Sequence, residues 1–191
     1  MKKTLITILA TVLVCCCIVG GTLAWLTDKT ETVTNTFTVG DVNIKLTETI
    51  NETETDVSDA AATANFKMIP GNEIPKDPKV TVLKGSEACW VFVKIVETDT
   101  KNLIDWEIAE GWTLVESSNG TSVYYRAEND LSDSANDGTS YSVLKGDKVT
   151  VSSTNLVKGE TEKPTLVITA YAVQQANLTF NQAWEQAKTL G

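Results

Sequence analysis

The chain has 191 residues, a formal net charge of −9 and no histidine. Its acidic composition argues against nucleic acid as a partner, because phosphate backbones repel an acidic surface. The absence of histidine excludes a Ser-His-Asp triad, a Cys-His pair and an H-E-x-x-H zinc helix. The length accommodates one well-buried domain together with a further segment.

The first 24 residues have the order of a secretory signal peptide. Two lysines are followed by a long uncharged, mostly apolar stretch and then by small residues around Ala24. This order predicts cleavage after Ala24, with Thr22 at position −3 and Trp25 as the new N-terminus. An uncleaved anchor is the alternative, because residues 4–26 are long enough to span a bilayer. Cleavage removes two lysines and no acidic residue, so the net charge becomes −11.

Three of the four cysteines, Cys15, Cys16 and Cys17, lie inside this predicted signal peptide. A lipoprotein signal needs a small residue before the modified cysteine, and Val14 stands there instead. The three thiols are therefore interpreted as small hydrophobic side chains. Cys89, which remains, lies in an apolar run and is predicted to be an inert core thiol. A lone cysteine forms no internal disulfide, so the core alone must stabilise the domain.

Short segments with period-two alternation predict strands through most of the mature chain. The first lies within residues 37–46. Residues 47–63 are polar and acidic, which predicts a solvated loop. The Pro-Gly pair at 70–71 marks a turn, and a further strand begins at Val80.

Residues 88–97 are apolar on both faces, which is typical of a central strand covered on two sides. Residues 164–177 show the same pattern and are the longest strand candidate. The tryptophans of the mature domain lie in apolar patterns and are predicted to belong to the core. These four residues are Trp90, Trp106, Trp112 and Trp184.

Between these two strands, residues 104–116 and 121–128 predict hairpin strands. Their turns are expected at the Glu-Gly pair 110–111 and the Asn-Gly pair 119–120. Two further short strands are expected on either side of the Gly-Asp pair at 146–147. Strands at such regular spacing predict an all-β fold, a β-sandwich or jelly roll.

The last segment changes period and predicts a short amphipathic helix. Apolar residues recur at helical spacing from Phe180 to Leu190, and Thr179 with Gln182 forms a capping box. The predicted organisation is therefore a signal helix at 1–24 that is removed, followed by a β-sandwich domain closed by this helix.

Residues 129–140 form a polar loop that contains Asp130, Asp133 and Asp137. Carboxylates in such loops are the oxygen ligands that calcium takes, so the three are calcium candidates. The EF-hand spacing is incomplete, because Ala135 occupies its middle ligand position. A solvated turn is the alternative interpretation, since charged loops usually face water. No other cofactor is predicted.

Three stretches resemble the TasA/camelysin family of secreted Gram-positive bacterial proteins. The first is "GGTLAWLTDKTETVTNTFTVGDVNIKL", which is similar to the family's signal end and first mature strand. The second is "IPGNEIPKDPKVTVLKGSEACWVFVKI", a turn leading into a strand, and the third is "AYAVQQANLTFNQAWEQAK". Together they cover roughly half of the mature chain. Residues 98–163 show no such similarity.

The resemblance implies a jelly-roll-like sandwich in the extracellular biofilm matrix or at the cell surface, processed by a signal peptidase of the SipW type. It also implies polymerisation by donor-strand exchange, with a second copy as the partner and with an accessory or anchoring matrix protein beside it. The N-terminal arm, residues 25–36, would be the donor, and residues 37–191 would form the domain. The expected contact residues of this assembly are Trp25, Leu26, Val33 and Phe37.

Two other functions stay open at this point. Camelysin-like members are described as metallopeptidases, but an all-carboxylate zinc site would be unusual, and this chain offers no histidine. The other alternative is a monomeric surface module that binds glycan or calcium.

Overall fold

The structure is a computed structural model that describes residues 41–50, 53–57 and 65–190. Strands dominate these ranges, so the expected all-β class is confirmed. The strands are β1 (Ile44–Ile50), β2 (Thr53–Asp56), β3 (Glu73–Pro75), β4 (Lys79–Leu83), β5 (Cys89–Glu97), β6 (Ile104–Asp105), β7 (Thr113–Ser118), β8 (Thr121–Glu128), β9 (Gly138–Ser142), β10 (Lys148–Val151) and β11 (Leu166–Gln174). Helix α1 spans Phe180–Ala187, and 3-10 turns span Lys145–Asp147 and Lys188–Leu190. Within the described ranges, no helix is both long and apolar enough to cross a bilayer.

The strands form three sheets whose described pairings are all antiparallel. Sheet 1 has the order β2-β1-β4-β9, and sheet 2 has the order β11-β5-β8-β7. Sheet 3 is small and has the order β3-β10-β6. Its edge strand β3 ends at Pro75, as expected for a residue that has no N–H to give to a sheet ladder.

Sheets 1 and 2 pack against each other around the main core. Val80 and Val82 of β4 contribute from sheet 1, and Val91 and Val93 of β5 contribute from sheet 2. All four side chains are 0% exposed. Cys89 belongs to the same buried cluster, which confirms its predicted core position.

The second face of β5 is covered by helix α1, as the two-sided apolar pattern predicted. Phe92 is 0% exposed and packs with Trp184, whose ring centroid lies 5.3 Å away. Phe180 stacks on Tyr125 of β8 at 4.3 Å. Trp112 and Trp184 are buried as expected, while Trp90 and Trp106 are partly buried against the two clusters.

Helix α1 begins where the sequence predicted. The Thr179 hydroxyl accepts a hydrogen bond from the Gln182 backbone N–H, and the Gln182 side chain accepts one from the Thr179 N–H at 2.9 Å. This reciprocal pair satisfies two N–H groups that a helix start otherwise leaves without partners.

The prediction of a solvated loop at residues 47–63 was wrong for residues 47–50 and 53–56, while residues 51, 52 and 58–63 lie outside the described residues. β1 continues to Ile50, and β2 pairs with it antiparallel from Thr53 to Asp56. Threonine favours extended backbone, and this segment is rich in threonine. The hairpin is also fixed from outside, because the Asp77 carboxylate accepts from the backbone N–H and the hydroxyl of Thr49 at 2.9 and 2.8 Å.

The predicted hairpin across residues 104–116 was also wrong. Its turn forms at Gly111, but β6 pairs with β10 in sheet 3 rather than with β7. The Asn-Gly hairpin between β7 and β8 is confirmed. Asn119 and Gly120 have φ of 50° and 73°, the left-handed pair that a tight hairpin turn requires.

Candidate functional site

Sheets 1 and 2 meet along two sides of the main core, which we call seams, and the contacts at the two seams differ. On one side, β9 of sheet 1 is tied to sheet 2 by polar and aromatic contacts. The Tyr141 hydroxyl donates to the Glu128 carboxylate of β8, and the Trp112 indole N–H donates to the Ser142 carbonyl at 2.9 Å. The Arg126 guanidinium lies 3.3 Å from the centroid of the Tyr141 ring. These contacts close this seam, which we call the sealed seam.

Burial shifts two titrating groups at the sealed seam. Desolvation, together with the hydrogen bond and the charge of Glu128, raises the pKa of Tyr141 to about 12. Desolvation and the charge of Glu128 also raise the pKa of Cys89 to about 11. A thiol with so high a pKa is almost entirely protonated near neutral pH, so Cys89 is a poor nucleophile.

The other seam contains the outer edge of β11. Sheet 2 begins with β11, and among the described strands only β5 pairs with it. Thr98 N–H donates to the Thr165 carbonyl and Gln175 N–H donates to the Ala88 carbonyl, so odd-numbered residues of this strand face β5. Because an antiparallel ladder alternates, the N–H and C=O groups of the even-numbered residues 166–174 point outward. β11 therefore presents a row of backbone donors and acceptors along its outer edge.

A groove of about 510 Å³ lies beside the first residues of β11. All three sheets contribute to its walls. Its apolar lining includes Leu46 of β1, Ile74 of β3, Ile104 of β6, Val149 of β10, and Leu166 and Ile168 of β11. Phe66 and Val167 also line it, and their exposed fractions are 45% and 54%. Large apolar side chains thus remain accessible where the groove meets the outer edge of β11.

The charged groups of the groove are largely held in place. The Lys76 ammonium lies 2.7 Å from the Glu48 carboxylate, and both side chains are only 14% exposed. Lys163 is exposed on the same rim. A buried ion pair neutralises itself, so the interior of the groove suits neutral, apolar side chains better than a free ion.

The segment that leads into β11 is anchored to the chain after β5. The Glu162 carboxylate accepts from the Thr100 N–H at 2.8 Å, and the Lys101 ammonium donates to Glu160 at 2.8 Å. Hydrogen bonds, first of all from Lys101, lower the pKa of Glu160 to about 2. The hydroxyls of Thr98 and Thr165 lie 2.7 Å apart. These contacts fix the start of β11 beside the groove.

The residues predicted for cleavage and assembly lie outside the described residues. They are Thr22, Ala24, Trp25, Leu26, Val33 and Phe37. Their roles stay predictions, as does the signal helix. What the structure adds is the outer edge of β11 and the groove beside it, which the sequence had not located.

The three calcium candidates are described. The hydroxyl and the backbone N–H of Ser132 hydrogen-bond Asp130 and lower its pKa, and Asp133 and Asp137 are exposed. The described part of the chain contains no group of three or more acidic or cysteine side chains that could hold a metal ion. Calcium binding by this loop stays a prediction.

Comparison with models of known protein families gives no match, and comparisons with curated proteins and with solved structures give none either. Function is therefore inferred from the residues of this chain. The groove escaped the sequence analysis because its walls come from five strands that are far apart in the chain, β1, β3, β6, β10 and β11. The one available signal was the pair Phe66 and Met68, two apolar residues in a segment with no period of its own.

Proposed function

We propose that the chain is a secreted, jelly-roll-like fibre subunit of a Gram-positive extracellular matrix. After cleavage behind Ala24, the N-terminal arm of one copy adds as a strand to the sheet of a second copy. The observation that carries this proposal is the outer edge of β11, with which no described strand pairs, beside an apolar groove. A strand edge with free backbone groups and adjacent side-chain pockets is what strand addition requires.

The free edge offers enough interaction to support an assembly. The five even-numbered residues from Leu166 to Gln174 each direct an N–H and a C=O outward. Each hydrogen bond formed with an added strand contributes about 0.5–1.5 kcal/mol net, and apolar side chains in the groove add to this. Repeated from copy to copy, one such contact produces an open, head-to-tail polymer rather than a closed pair.

In this proposal the partners are further copies of the chain, a SipW-type signal peptidase and an accessory or anchoring matrix protein. Cleavage would control assembly, because the arm stays tied to the membrane until the peptidase frees Trp25. The protein has no catalytic role in this proposal. A camelysin-like metallopeptidase is the weaker candidate, since the 191 residues include no histidine to bind zinc.

The experiment that tests the proposal combines processing and assembly in one sample. The protein released by cells is examined by intact mass, N-terminal sequencing and negative-stain electron microscopy. We expect Trp25 at the N-terminus and filaments in the same fraction. A variant that lacks residues 25–36 should keep the far-UV spectrum of a folded β protein and form no filaments.

Two results would overturn the proposal. Filaments from the variant without residues 25–36 would show that the arm is not the donor. A membrane-bound product that begins at Met1 and forms no filaments would make the protein an anchored surface domain. Glycan and calcium titrations of that domain would then test the remaining alternative.

A further inference from the structure

We infer that a cleft at the end of β11 is a binding site for a neutral oligosaccharide, through which the protein binds extracellular polysaccharide. Its walls come from the first residues of β5, the residues just before them, the end of β11 and the turn that leads into α1. The cleft has a volume of about 570 Å³, which lies within the range of about 300–1,000 Å³ that is typical of ligand pockets. We call it the Trp90 cleft, and the lining residues that matter here are Glu87, Trp90, Gln174, Gln175 and Asn177.

An indole ring forms the main apolar wall of the Trp90 cleft. Trp90 lies on β5 and is only partly buried. Its N–H donates to the Leu178 carbonyl at 2.9 Å, and this hydrogen bond fixes the orientation of the ring. The rings of Tyr125 and Phe180 each meet it at an interplanar angle of 68°, so neither of them stacks parallel on it. A fixed aromatic surface of this kind suits the C–H groups on one face of a pyranose ring.

The turn that follows β11 places amide side chains around this ring. The Leu178 N–H donates to the Gln175 carbonyl at 2.7 Å, which closes the turn. Asn177 adopts a left-handed φ of 60°, a conformation that asparagine tolerates better than most residues. The side-chain amide of Gln175 donates to the Cys89 carbonyl at 3.3 Å. Its side-chain oxygen makes no hydrogen bond within the described residues and remains an acceptor.

Three further polar side chains of the cleft make no hydrogen bond within the described residues. They are the exposed amides of Gln174 and Asn177 and the partly buried carboxylate of Glu87. Each amide offers two N–H donors and one carbonyl acceptor, and the carboxylate only accepts. A sugar ring carries hydroxyl groups that donate and accept around its rim and C–H groups on its face. The combination of one fixed aromatic wall and several free amides therefore matches the chemistry of a saccharide.

The charge of the cleft favours a neutral saccharide over an anionic polymer. Glu87 is the only charged side chain among the described residues that line it, and the whole chain carries a formal net charge of −9. Phosphate or uronate groups would be repelled by this carboxylate and would find no lysine or arginine among those lining residues. The hydroxyl groups of a neutral sugar can instead donate to it.

The Trp90 cleft and the groove lie at opposite ends of β11. Leu166 and Ile168, at the start of the strand, line the groove, whereas Gln174, its last residue, lines the cleft. The nine residues of β11 span about 30 Å at the rise of a strand. A saccharide in the cleft therefore leaves the groove clear. Saccharide binding goes beyond the proposed fibre function and does not depend on it.

Fluorescence anisotropy of end-labelled hexasaccharides tests this site on the protein released by cells. The neutral probes are cellohexaose, maltohexaose and mannohexaose, and a galacturonate hexamer is the anionic comparison. We expect at least one neutral probe to bind, and the galacturonate hexamer not to bind over the same protein concentrations. Gln174→Ala with Asn177→Gly should raise the Kd of that neutral probe about 10-fold, because two amides lose their hydrogen bonds to hydroxyls. Glycine at position 177 keeps the left-handed backbone of the turn.

The matched control is Gln186→Ala with Asn102→Gly. Both residues are exposed and lie outside the cleft, and Asn102 has a φ of 53°. This pair removes the same two side-chain types, one of them again from a left-handed position. Its Kd for the neutral probe should equal that of the wild type.

Oxidation of tryptophan by N-bromosuccinimide, mapped by peptide mass spectrometry, gives a second readout that needs no substitution. A bound neutral probe should protect Trp90 from oxidation. Trp106 is also partly buried but does not line the cleft, so its oxidation should not change.

Each contrary result overturns a stated part of the inference. Failure of all three neutral probes to bind would overturn saccharide binding itself. An unchanged Kd in Gln174→Ala with Asn177→Gly, or oxidation of Trp90 that the probe does not slow, would overturn the Trp90 cleft as the site. Binding of the galacturonate hexamer in place of the neutral probes would overturn the neutral class. Filaments in a sample that binds no saccharide would leave the proposed function standing.

Discussion

Substitution of Tyr141 by phenylalanine tests the sealed seam most directly. The change removes one hydroxyl and keeps the ring on which Arg126 lies. Glu128 is only 5% exposed, and without the hydroxyl its carboxylate keeps one backbone hydrogen bond, from Asn129 N–H at 2.8 Å. Loss of a hydrogen bond to a buried charged group lowers the free energy of unfolding by about 1.5–3 kcal/mol, and we expect a loss of this size at pH 8.

The same substitution should change how stability depends on pH. The pKa of Tyr141 is about 12 in the folded protein, above its ordinary value of 10.0. Above pH 10 the unfolded chain therefore loses this proton while the folded chain keeps it, so stability falls as pH rises toward 12. Two pH units correspond to at most about 2.7 kcal/mol, and because the ring is partly exposed we expect about 1 kcal/mol. Tyr141→Phe lacks this loss.

Urea denaturation followed by tryptophan fluorescence at pH 8 and at pH 11.5 measures both effects. Tyr171→Phe is the matched control, since that ring also packs against a tryptophan and its hydroxyl makes no hydrogen bond within the described residues. The difference in free energy of unfolding between wild type and Tyr141→Phe should be smaller at pH 11.5 than at pH 8. Tyr171→Phe should have the stability of wild type at both pH values. Cys89 titrates in all three proteins and cancels from the comparison. Equal stability of Tyr141→Phe and wild type at pH 8 would refute the assigned role of the hydroxyl.

Three further substitutions have expected effects on the urea midpoint of the same assay. Thr179→Ala removes the capping box of α1 and should lower stability by about 1 kcal/mol, whereas Thr179→Ser should restore it. At Gly120 φ is 73°, and an added Cβ would lie 2.5 Å from the Glu97 carbonyl oxygen. Gly120→Ala should therefore lower the free energy of unfolding by more than the roughly 1–2 kcal/mol that left-handed backbone strain costs. At Gly159 φ is 90° and an added Cβ would meet no atom within 4 Å, so Gly159→Ala should be destabilised by the backbone strain alone. Equal losses of stability in Gly120→Ala and Gly159→Ala would contradict the predicted clash with the Glu97 carbonyl. Phe92 is 0% exposed, so Phe92→Ala leaves a cavity and should lower the free energy of unfolding by about 3–5 kcal/mol. A much smaller loss would show that α1 packs loosely on β5.

The sequence predicted those elements whose signals are local. The capping box at Thr179 and the Asn-Gly turn at 119–120 each depend on a few adjacent residues, and both were confirmed. The two covered faces of β5 were also predictable, because apolar residues occupy both faces of residues 89–93 and need cover on both sides. The hairpin of β1 and β2 was missed because its stabilising partner, Asp77, lies far away in the chain.

The candidate site was beyond such reasoning for a physical reason. β11 and β5 share one pattern of apolar residues, yet β5 is central and β11 is an edge strand. Side chains report which faces of a strand are buried, whereas its edges are satisfied by backbone groups that every residue carries. The sequence therefore could not show that, among the described strands, β11 pairs with β5 alone. The groove likewise depends on contacts between residues as distant as Leu46 and Ile168.

The position of helix α1 in the chain has a consequence for how the protein is made. A ribosome synthesises the chain from the N-terminus, so β5 emerges long before the residues of α1. Until Trp184 and its neighbours follow, Phe92 has no cover on that side of sheet 2. The apolar face of sheet 2 around Phe92 therefore stays exposed to solvent until residues 180–187 are made, and native packing on that side cannot be completed earlier.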